Sequence, residues 1–219
     1  MNAKPHLALP GTALRLTLCA LLVTFAAAAL AADAPASEGL IPVKARSFDK
    51  AWRSPEANLK AYTGVLIRPV TVAFSKNWRP RDYGSFGLKS EDVERIRSTY
   101  TKIADESFAR VLSEGGYSIA SAPGENVLEI QLEVTDLYVN GPDFDSDVLV
   151  RTYVRDFGDM RLLITLRDSA SGATLFRSDD FKRGDETGRL EWANSVYNRS
   201  EAERSLTDWA HQLKRMLAE

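Results

Sequence analysis

The stretch VLEIQLEVTDLYV, residues 127–139, constrains the fold more than any other part of the sequence. In its first half apolar and polar side chains alternate, and the apolar members are Leu128, Ile130, Leu132 and Val134. This alternation is typical of a β-strand that buries one face and exposes the other to water. A sheet of such strands is covered by helices on one side only. The pattern therefore favours an α+β fold.

Two segments have the periodicity of amphipathic helices. Residues 90–114 place apolar side chains three and four positions apart, and two consecutive glycines follow to end the helix. Near the C terminus, Ser200 and Glu203 have the spacing of a capping box, ahead of an apolar stripe over residues 206–217. We expect these two helices to be the main ones.

The first strand and a later hairpin are indicated by β-branched residues and turn signals. Residues 63–74 predict a strand in which Pro69 requires an edge position or a bulge, because proline cannot donate a ladder hydrogen bond. Residues 159–180 predict a hairpin with Gly172 in its turn. The first helix then connects two strands that could lie parallel.

Shorter strands are expected at residues 117–120 and 148–157. The elements together predict a single α+β domain over residues 62–219, with a mixed, largely antiparallel β-sheet and two main helices packed mainly on one face. Residues 33–61 lack sustained periodicity and predict an N-terminal tether, with one short turn around FDKAW.

The first 32 residues have the layout of a secretory signal peptide, with small residues at Ala31 and Ala32 where cleavage is expected. Cys19, the only cysteine, is not expected to carry a lipid anchor, because Leu18 rather than a small residue precedes it. The mature chain then has no cysteine and no disulfide. We expect an exported protein, periplasmic or extracellular, that is soluble and not stably inserted in a membrane.

Four longer stretches occur in a familiar order. They are YTGVLIRPVTVAFSKNWRP, GGYSIASAPGENVLEIQLEVTDL, LRDSASGATLFRSDD and DWAHQLKRMLAE. Over residues 62–217 this order resembles a bacterial exported-protein family catalogued as domain of unknown function 3313. The resemblance implies an envelope location and a compact α+β fold, and it carries over no activity and no site residue. Many members look like lipoproteins, and this chain departs from them because it has no acceptable lipid-attachment motif.

Several classes of chemistry are disfavoured by composition. A net charge of −2 without long basic runs argues against nucleic-acid binding. His211 falls away from the apolar stripe of its helix, so we assign it no catalytic role. The acidic turn DFDSD, residues 143–147, lacks the glycine and the final carboxylate of an EF-hand loop, which leaves a solvated turn or a weak, irregular calcium site. We expect no metal site and no cofactor.

Acidic side chains cluster near the end of the hairpin and of one strand, and they are Asp136, Asp179, Asp180, Asp185 and Glu186. Paired carboxylates act as acid and base in sugar-cleaving enzymes. A small carboxylate-dependent hydrolase is therefore one alternative function. A carrier of a small apolar ligand, with a cavity between helix and sheet, is another.

The loop NWRPRDYG combines the side-chain types that dominate interaction sites. Its candidate partner-binding residues are Trp78, Arg79, Arg81 and Tyr83. In the alternative, Trp78 covers the sheet edge and the arginines pair with acidic neighbours. The sequence thus predicts a non-enzymatic interaction or accessory module that binds an envelope or periplasmic protein, through this loop or through a sheet edge near Pro69.

Overall fold

The computed structural model describes residues 39–44, 47–80, 87–141, 152–154, 156, 158–184, 191–193 and 195–218. These residues belong to one compact unit, Ser37–Glu219. In chain order its elements are β1 (Ile41–Pro42), β2 (Lys50–Arg53), a 3-10 turn (Leu59–Ala61), β3 (Gly64–Ile67), β4 (Thr71–Phe74), α1 (Ser90–Glu114), β5 (Ser118–Ile119), β6 (Val127–Val139), β7 (Thr152–Val154), β8 (Gly158–Asp168), β9 (Thr174–Arg183), β10 (Glu191–Ala193) and α2 (Ser195–Ala218).

Eight strands form one mixed sheet in the order β1-β2-β9-β8-β6-β3-β5, with β4 also paired to β6. The pairs from β1 through β9 and β8 to β6 are antiparallel, whereas β3 and β4 run parallel to β6 and β3 runs parallel to β5. A separate two-stranded ladder joins β7 to β10. The predicted α+β class and the mixed, largely antiparallel sheet are confirmed.

The core lies between the sheet and the two helices, which pack on the same face. The side chains of β6 at even positions, from Leu128 to Val134, are fully buried against it. Large side chains of both helices meet them, among them Phe108 of α1 and Trp209 of α2. In the described residues, neither helix is long and apolar enough to cross a membrane.

The alternation of β6 changes phase at Asp136, which has a left-handed φ of 51°. The pairing of β6 with β8 shifts between Thr135 and Tyr138, so one extra residue of β6 bulges out. Beyond the bulge the odd-numbered side chains Leu137 and Val139 enter the core, each 1% exposed. The bulge thus keeps both ends of a 13-residue strand in contact with the same core.

The segment predicted to be a tether is in fact partly folded. Strand β2 pairs antiparallel with β9, and β1 adds a short outer strand. Phe48 and Ala51 are buried in the common core, at 7% and 4% exposed. Burial of these two side chains explains why the sheet begins before residue 62.

Other boundaries also differ from the sequence-based expectations. Helix α1 spans the predicted residues, but α2 begins at Ser195, so Ser200 lies inside the helix and not at its cap. The predicted strand over residues 63–74 is interrupted at Pro69 and continues as two strands, both paired to β6. The hairpin of β8 and β9 is confirmed, with Gly172 at a φ of 74° in its turn.

Candidate functional site

The predicted interaction loop begins with a buried residue. Trp78 is 5% exposed, and its indole Nε1 donates a hydrogen bond to the Val139 carbonyl oxygen at 3.1 Å. Its ring stacks on Phe74 with centroids 4.3 Å apart. Trp78 therefore anchors the start of the loop to the sheet. Arg79 is exposed, and Arg81 and Tyr83 lie outside the described residues, so partner binding by this group stays a prediction.

The sheet edge next to Pro69 is occupied by α1. The guanidinium of Arg97 donates to the carbonyl oxygen of Val72, and the Asp105 carboxylate accepts a hydrogen bond from the backbone N–H of Val70. Burial raises the pKa of Asp105. Side chains that satisfy the outer backbone groups of a strand hinder the addition of another strand there. This edge is thus less accessible than the sequence suggested.

The predicted carboxylate cluster is split between the two faces of the sheet. Asp180 faces the core and accepts hydrogen bonds from the Trp209 indole at 2.6 Å and from the Asp49 backbone N–H at 2.8 Å. Its neighbour Asp179 faces the other way and pairs with Arg161, which also contacts Asp136 at 3.3 Å. Asp185 and Glu186, like the acidic turn at residues 143–147, lie outside the described residues. The period-two geometry of a strand separates adjacent carboxylates in this way.

A small cleft lies where α2 meets the end of the sheet. It is lined by polar and apolar side chains from five elements, with Tyr100, Asp159, Lys182 and Glu201 among the polar ones, and its volume is about 20 Å³. A volume of this size admits about one water molecule. Burial lowers the pKa of Lys182, whose ammonium lies 3.6 Å from the Asp208 carboxylate and 4.9 Å from the centre of the Trp209 ring. Both carboxylates in the cleft already contact other residues, because Asp159 pairs with Arg183 and Glu201 with Arg204.

The opposite face of the sheet, which neither α1 nor α2 covers, carries a different set of side chains. We call it the helix-free face, and define it by the outward side chains of β2, β9, β8 and β6. Its central row crosses all four strands in register through Trp52, Arg177, Thr165 and Gln131. The Arg177 Nε donates to the Thr165 hydroxyl at 3.3 Å. Thr165 is only 4% exposed, so longer neighbours cover the middle of this face.

Arginine–carboxylate pairs flank the central row. On one side Glu129 accepts from Arg68 at 2.7 Å and from Arg167 at 3.5 Å, and on the other side Arg161 pairs with Asp179. In these pairs the arginine is the more exposed partner: 44% for Arg68 and 34% for Arg167 against 14% for Glu129, and 33% for Arg161 against 20% for Asp179. The guanidinium groups therefore lie above carboxylates that hold them in place.

The central Arg177 differs from these arginines. In the described part of the chain its guanidinium donates to the Thr165 hydroxyl, and no carboxylate of that part pairs with it. Since a guanidinium carries five N–H donors, Arg177 keeps donors for a further acceptor. The arrangement can bind carboxylate or phosphate groups.

Sequence reasoning did not identify the helix-free face. The signal was present in the alternation of β9, where Arg177, Asp179, Phe181 and Arg183 occupy every second position. The sequence does not show the register of β9 with β8, which places these side chains beside the outward side chains of β8. Among the described residues, no group of three or more histidine, cysteine or acidic side chains is placed to hold a metal ion, and His211 is partly buried on α2.

Similar solved structures include a PelC dodecamer from Paraburkholderia phytofirmans, with a TM-score of 0.34 and 13% identity over 72% of this chain and 95% of that chain. Protein XCC0632 from Xanthomonas campestris has a TM-score of 0.42 and 12% identity over 74% and 86%. A putative neuraminyllactose-binding hemagglutinin homolog from Helicobacter pylori has a TM-score of 0.35 and 12% identity over 73% and 84%. No curated protein matches the chain. The family model described as "Protein of unknown function (DUF3313)" matches residues 31–213.

Proposed function

This chain belongs to DUF3313, a family of proteins of unknown function, which confirms the resemblance drawn from the sequence, and we propose that it is an exported, non-enzymatic interaction module of the bacterial envelope. The observation that carries the proposal is the helix-free face of the sheet. There, arginine and aromatic side chains lie in register across β2, β9 and β8.

The composition of this face fits a macromolecular partner. Tryptophan and arginine are the residue types most enriched among side chains that dominate binding energy. Trp52 lies beside Arg177, and Arg161 lies over the ring of Phe181 with 5.5 Å between the guanidinium carbon and the ring centroid. Phe181 is 36% exposed and available for contact. Because the pairs with carboxylates already order the arginines, a partner would lose little side-chain entropy on binding them.

The alternatives are less well supported by the described residues. A carboxylate-dependent hydrolase needs two carboxylates facing a pocket that admits a sugar ring, and a carrier needs an apolar cavity of roughly 300 Å³ or more. The cleft beside α2 has a volume of about 20 Å³, and four of its lining side chains are charged. Its size suits an ordered water better than a substrate.

Export is part of the proposal and rests on the leader pattern. We expect cleavage near Ala31 or Ala32, an unmodified Cys19 lost with the leader, and a soluble mature chain in the periplasm or outside the cell. The mass of the purified mature protein tests this step. A mass that includes acyl chains on Cys19 would contradict it.

Photo-crosslinking in cells tests the interaction function. A photoreactive amino acid is placed at Phe181 on the helix-free face, at Tyr83 in the predicted loop, and at Lys102, an exposed position on α1, as the control. We expect a discrete adduct with an envelope protein from Phe181 and none from Lys102. An adduct from Tyr83 alone would move the binding surface to the loop. If none of the three positions forms an adduct above background, the interaction function is rejected.

A further inference from the structure

Cationic side chains recur at regular levels along the helix-free face. The outward positions of β8 between residues 167 and 159 define five levels. At each level a cation either belongs to β8 or lies on β9 or β2 in register with it. In order along the strand they are Arg167, Arg177, Lys50, Arg161 and Arg183, which we call the basic stripe. Successive levels are two residues, or about 7 Å, apart along the strands, so the stripe is about 27 Å long. The five cations are spread over β8, β9 and β2, so the stripe is also about 10 Å wide.

Most ion pairs of the stripe expose their arginine more than their carboxylate. The whole chain has a net charge of −2, and Asp136, the second partner of Arg161, is 56% exposed, yet in the pairs Arg167–Glu129 and Arg161–Asp179 the arginine is the more exposed member. The same holds at the far end, where Arg183 is 67% exposed and its partner Asp159 is 32% exposed. Over Glu129, Asp179 and Asp159, a partner that approaches this face therefore meets guanidinium groups before it meets carboxylates. Arg177, at the second level of the stripe, has no carboxylate partner among the described residues.

From this spacing we propose that the basic stripe binds an extended acidic segment of a partner polypeptide. The inference rests on the proposed function, because it assigns a partner chemistry to the same face. In an extended chain every second side chain points to the same side, and these side chains are about 7 Å apart. Carboxylates at alternate residues of such a segment therefore match the levels of the stripe. Arginine binds carboxylates through two parallel hydrogen bonds, which favours this pairing over a diffuse attraction.

Charge density argues for a polypeptide over a nucleic acid. Duplex DNA presents one negative charge per roughly 1.7 Å of its axis, which is far denser than the stripe. A chain with a net negative charge would repel it outside the stripe. An acidic peptide places fewer charges at wider intervals. Trp52, at the level of Arg177, offers an apolar contact to the aliphatic part of such a segment.

A binding titration with the mature protein tests the inference. The probe is a fluorescein-labelled peptide of about nine residues in which glutamate alternates with threonine, because that length spans five levels of the stripe. Fluorescence anisotropy is recorded at low and high salt. We expect binding that weakens with added salt, and an affinity about tenfold lower for Arg177→Gln, the loss typical of one charge-assisted hydrogen bond. Arg177→Lys should bind more tightly than Arg177→Gln.

The matched control is Arg110→Gln. Arg110 is 49% exposed on α1, away from the sheet face, and its replacement makes the same change in net charge. We expect no change in peptide affinity for this variant. Equal affinities for Arg110→Gln and Arg177→Gln would overturn the inference, because net charge and not the stripe would then govern binding. If Arg177→Gln melts early, Arg167→Gln at the next level is measured instead.

Two further outcomes separate this inference from the proposed function. If the peptide does not bind but phosphatidylglycerol vesicles do, with the same dependence on Arg177, the partner is an anionic membrane surface and the acidic polypeptide is rejected. If neither binds while Phe181 still forms a crosslink in cells, the partner chemistry is wrong and the interaction function stands. If the peptide binds but no position forms a crosslink, the stripe binds acidic segments and the proposed cellular function fails.

Discussion

Replacement of Asp180 tests how the N-terminal strands are held to the domain. One oxygen of its carboxylate accepts the Trp209 indole N–H at 2.6 Å, and the other accepts the Asp49 backbone N–H at 2.8 Å. The Asp49 carboxylate in turn accepts the backbone N–H of Phe181 at 3.1 Å. Asp180 is 8% exposed and Trp209 is fully buried. The carboxylate therefore joins α2, β9 and the start of β2 at one buried point.

The expected cost follows from the two donors that lose their acceptor. In Asp180→Ala the buried Trp209 indole N–H is left without an acceptor, which costs about 1–3 kcal/mol, whereas the Asp49 N–H belongs to an exposed residue, where water can replace the carboxylate, and loses about 0.5–1.5 kcal/mol. We expect a total loss of about 1.5–4.5 kcal/mol in the free energy of unfolding. For a chain of this size, each kcal/mol lowers the melting temperature by roughly 2–4 °C. Asp180→Asn keeps one acceptor oxygen and should lose about half as much.

Urea unfolding of the mature protein measures these losses, with Asp179→Ala as the control. Asp179 is the adjacent residue, but it forms its ion pair on the partly exposed helix-free face, where such pairs contribute less than about 1 kcal/mol. A double-mutant cycle with Trp209→Phe isolates the indole hydrogen bond, because phenylalanine keeps an aromatic ring and removes the donor. If Asp180→Ala is no less stable than Asp179→Ala, the buried carboxylate does not hold β2 to the domain and the reasoning is wrong.

Three further predictions concern backbone strain and acid stability. In Gly158→Ala the new Cβ would lie 1.7 Å from the Tyr138 carbonyl oxygen, at a φ of 111°. We therefore expect urea unfolding to show a loss of about 3 kcal/mol or more in the free energy of unfolding. A loss below about 1 kcal/mol would contradict this geometry. Asp136→Val places a β-branched residue at a φ of 51° and should cost about 1–2 kcal/mol relative to Asp136→Gly; equal stability of the two would refute the bulge assignment. A hydrogen bond from the Ser171 backbone N–H, the largest cause, lowers the pKa of Asp168 from its usual 3.8. The stabilisation by this carboxylate is therefore complete above that pH and lost as the pH falls through the lowered pKa, so Asp168→Asn should reduce the acid dependence of the melting temperature.

Local patterns in the sequence were sufficient for several elements. The 25 residues of α1, the one-sided burial of β6 and the hairpin around Gly172 all agree with the structure. Each depends on residues close together in the chain, because helical and strand periodicities and turn conformations are set by near neighbours. The family could also be assigned from the order of short pieces alone.

Other features depended on contacts between distant residues. The sequence predicted a tether at β2 because its four residues show no clear alternation of apolar and polar side chains. In the structure β2 is stabilised by pairing with β9 and by Asp180, which is 131 positions from its hydrogen-bond partner Asp49. The inward position of Trp78 likewise follows from Val139, 61 positions away.

The sequence by itself determined the fold class, the two main helices and the alternation that gives the sheet one covered face and one open face. The tertiary structure decided which strands lie side by side and in which register. Only that register brings Trp52, Arg177 and Thr165 into one row and separates Asp179 from Asp180. The physical reason is that strand pairing is a long-range interaction: a shift of one residue would turn every side chain to the other face, and the whole sheet settles the choice by burying its apolar side.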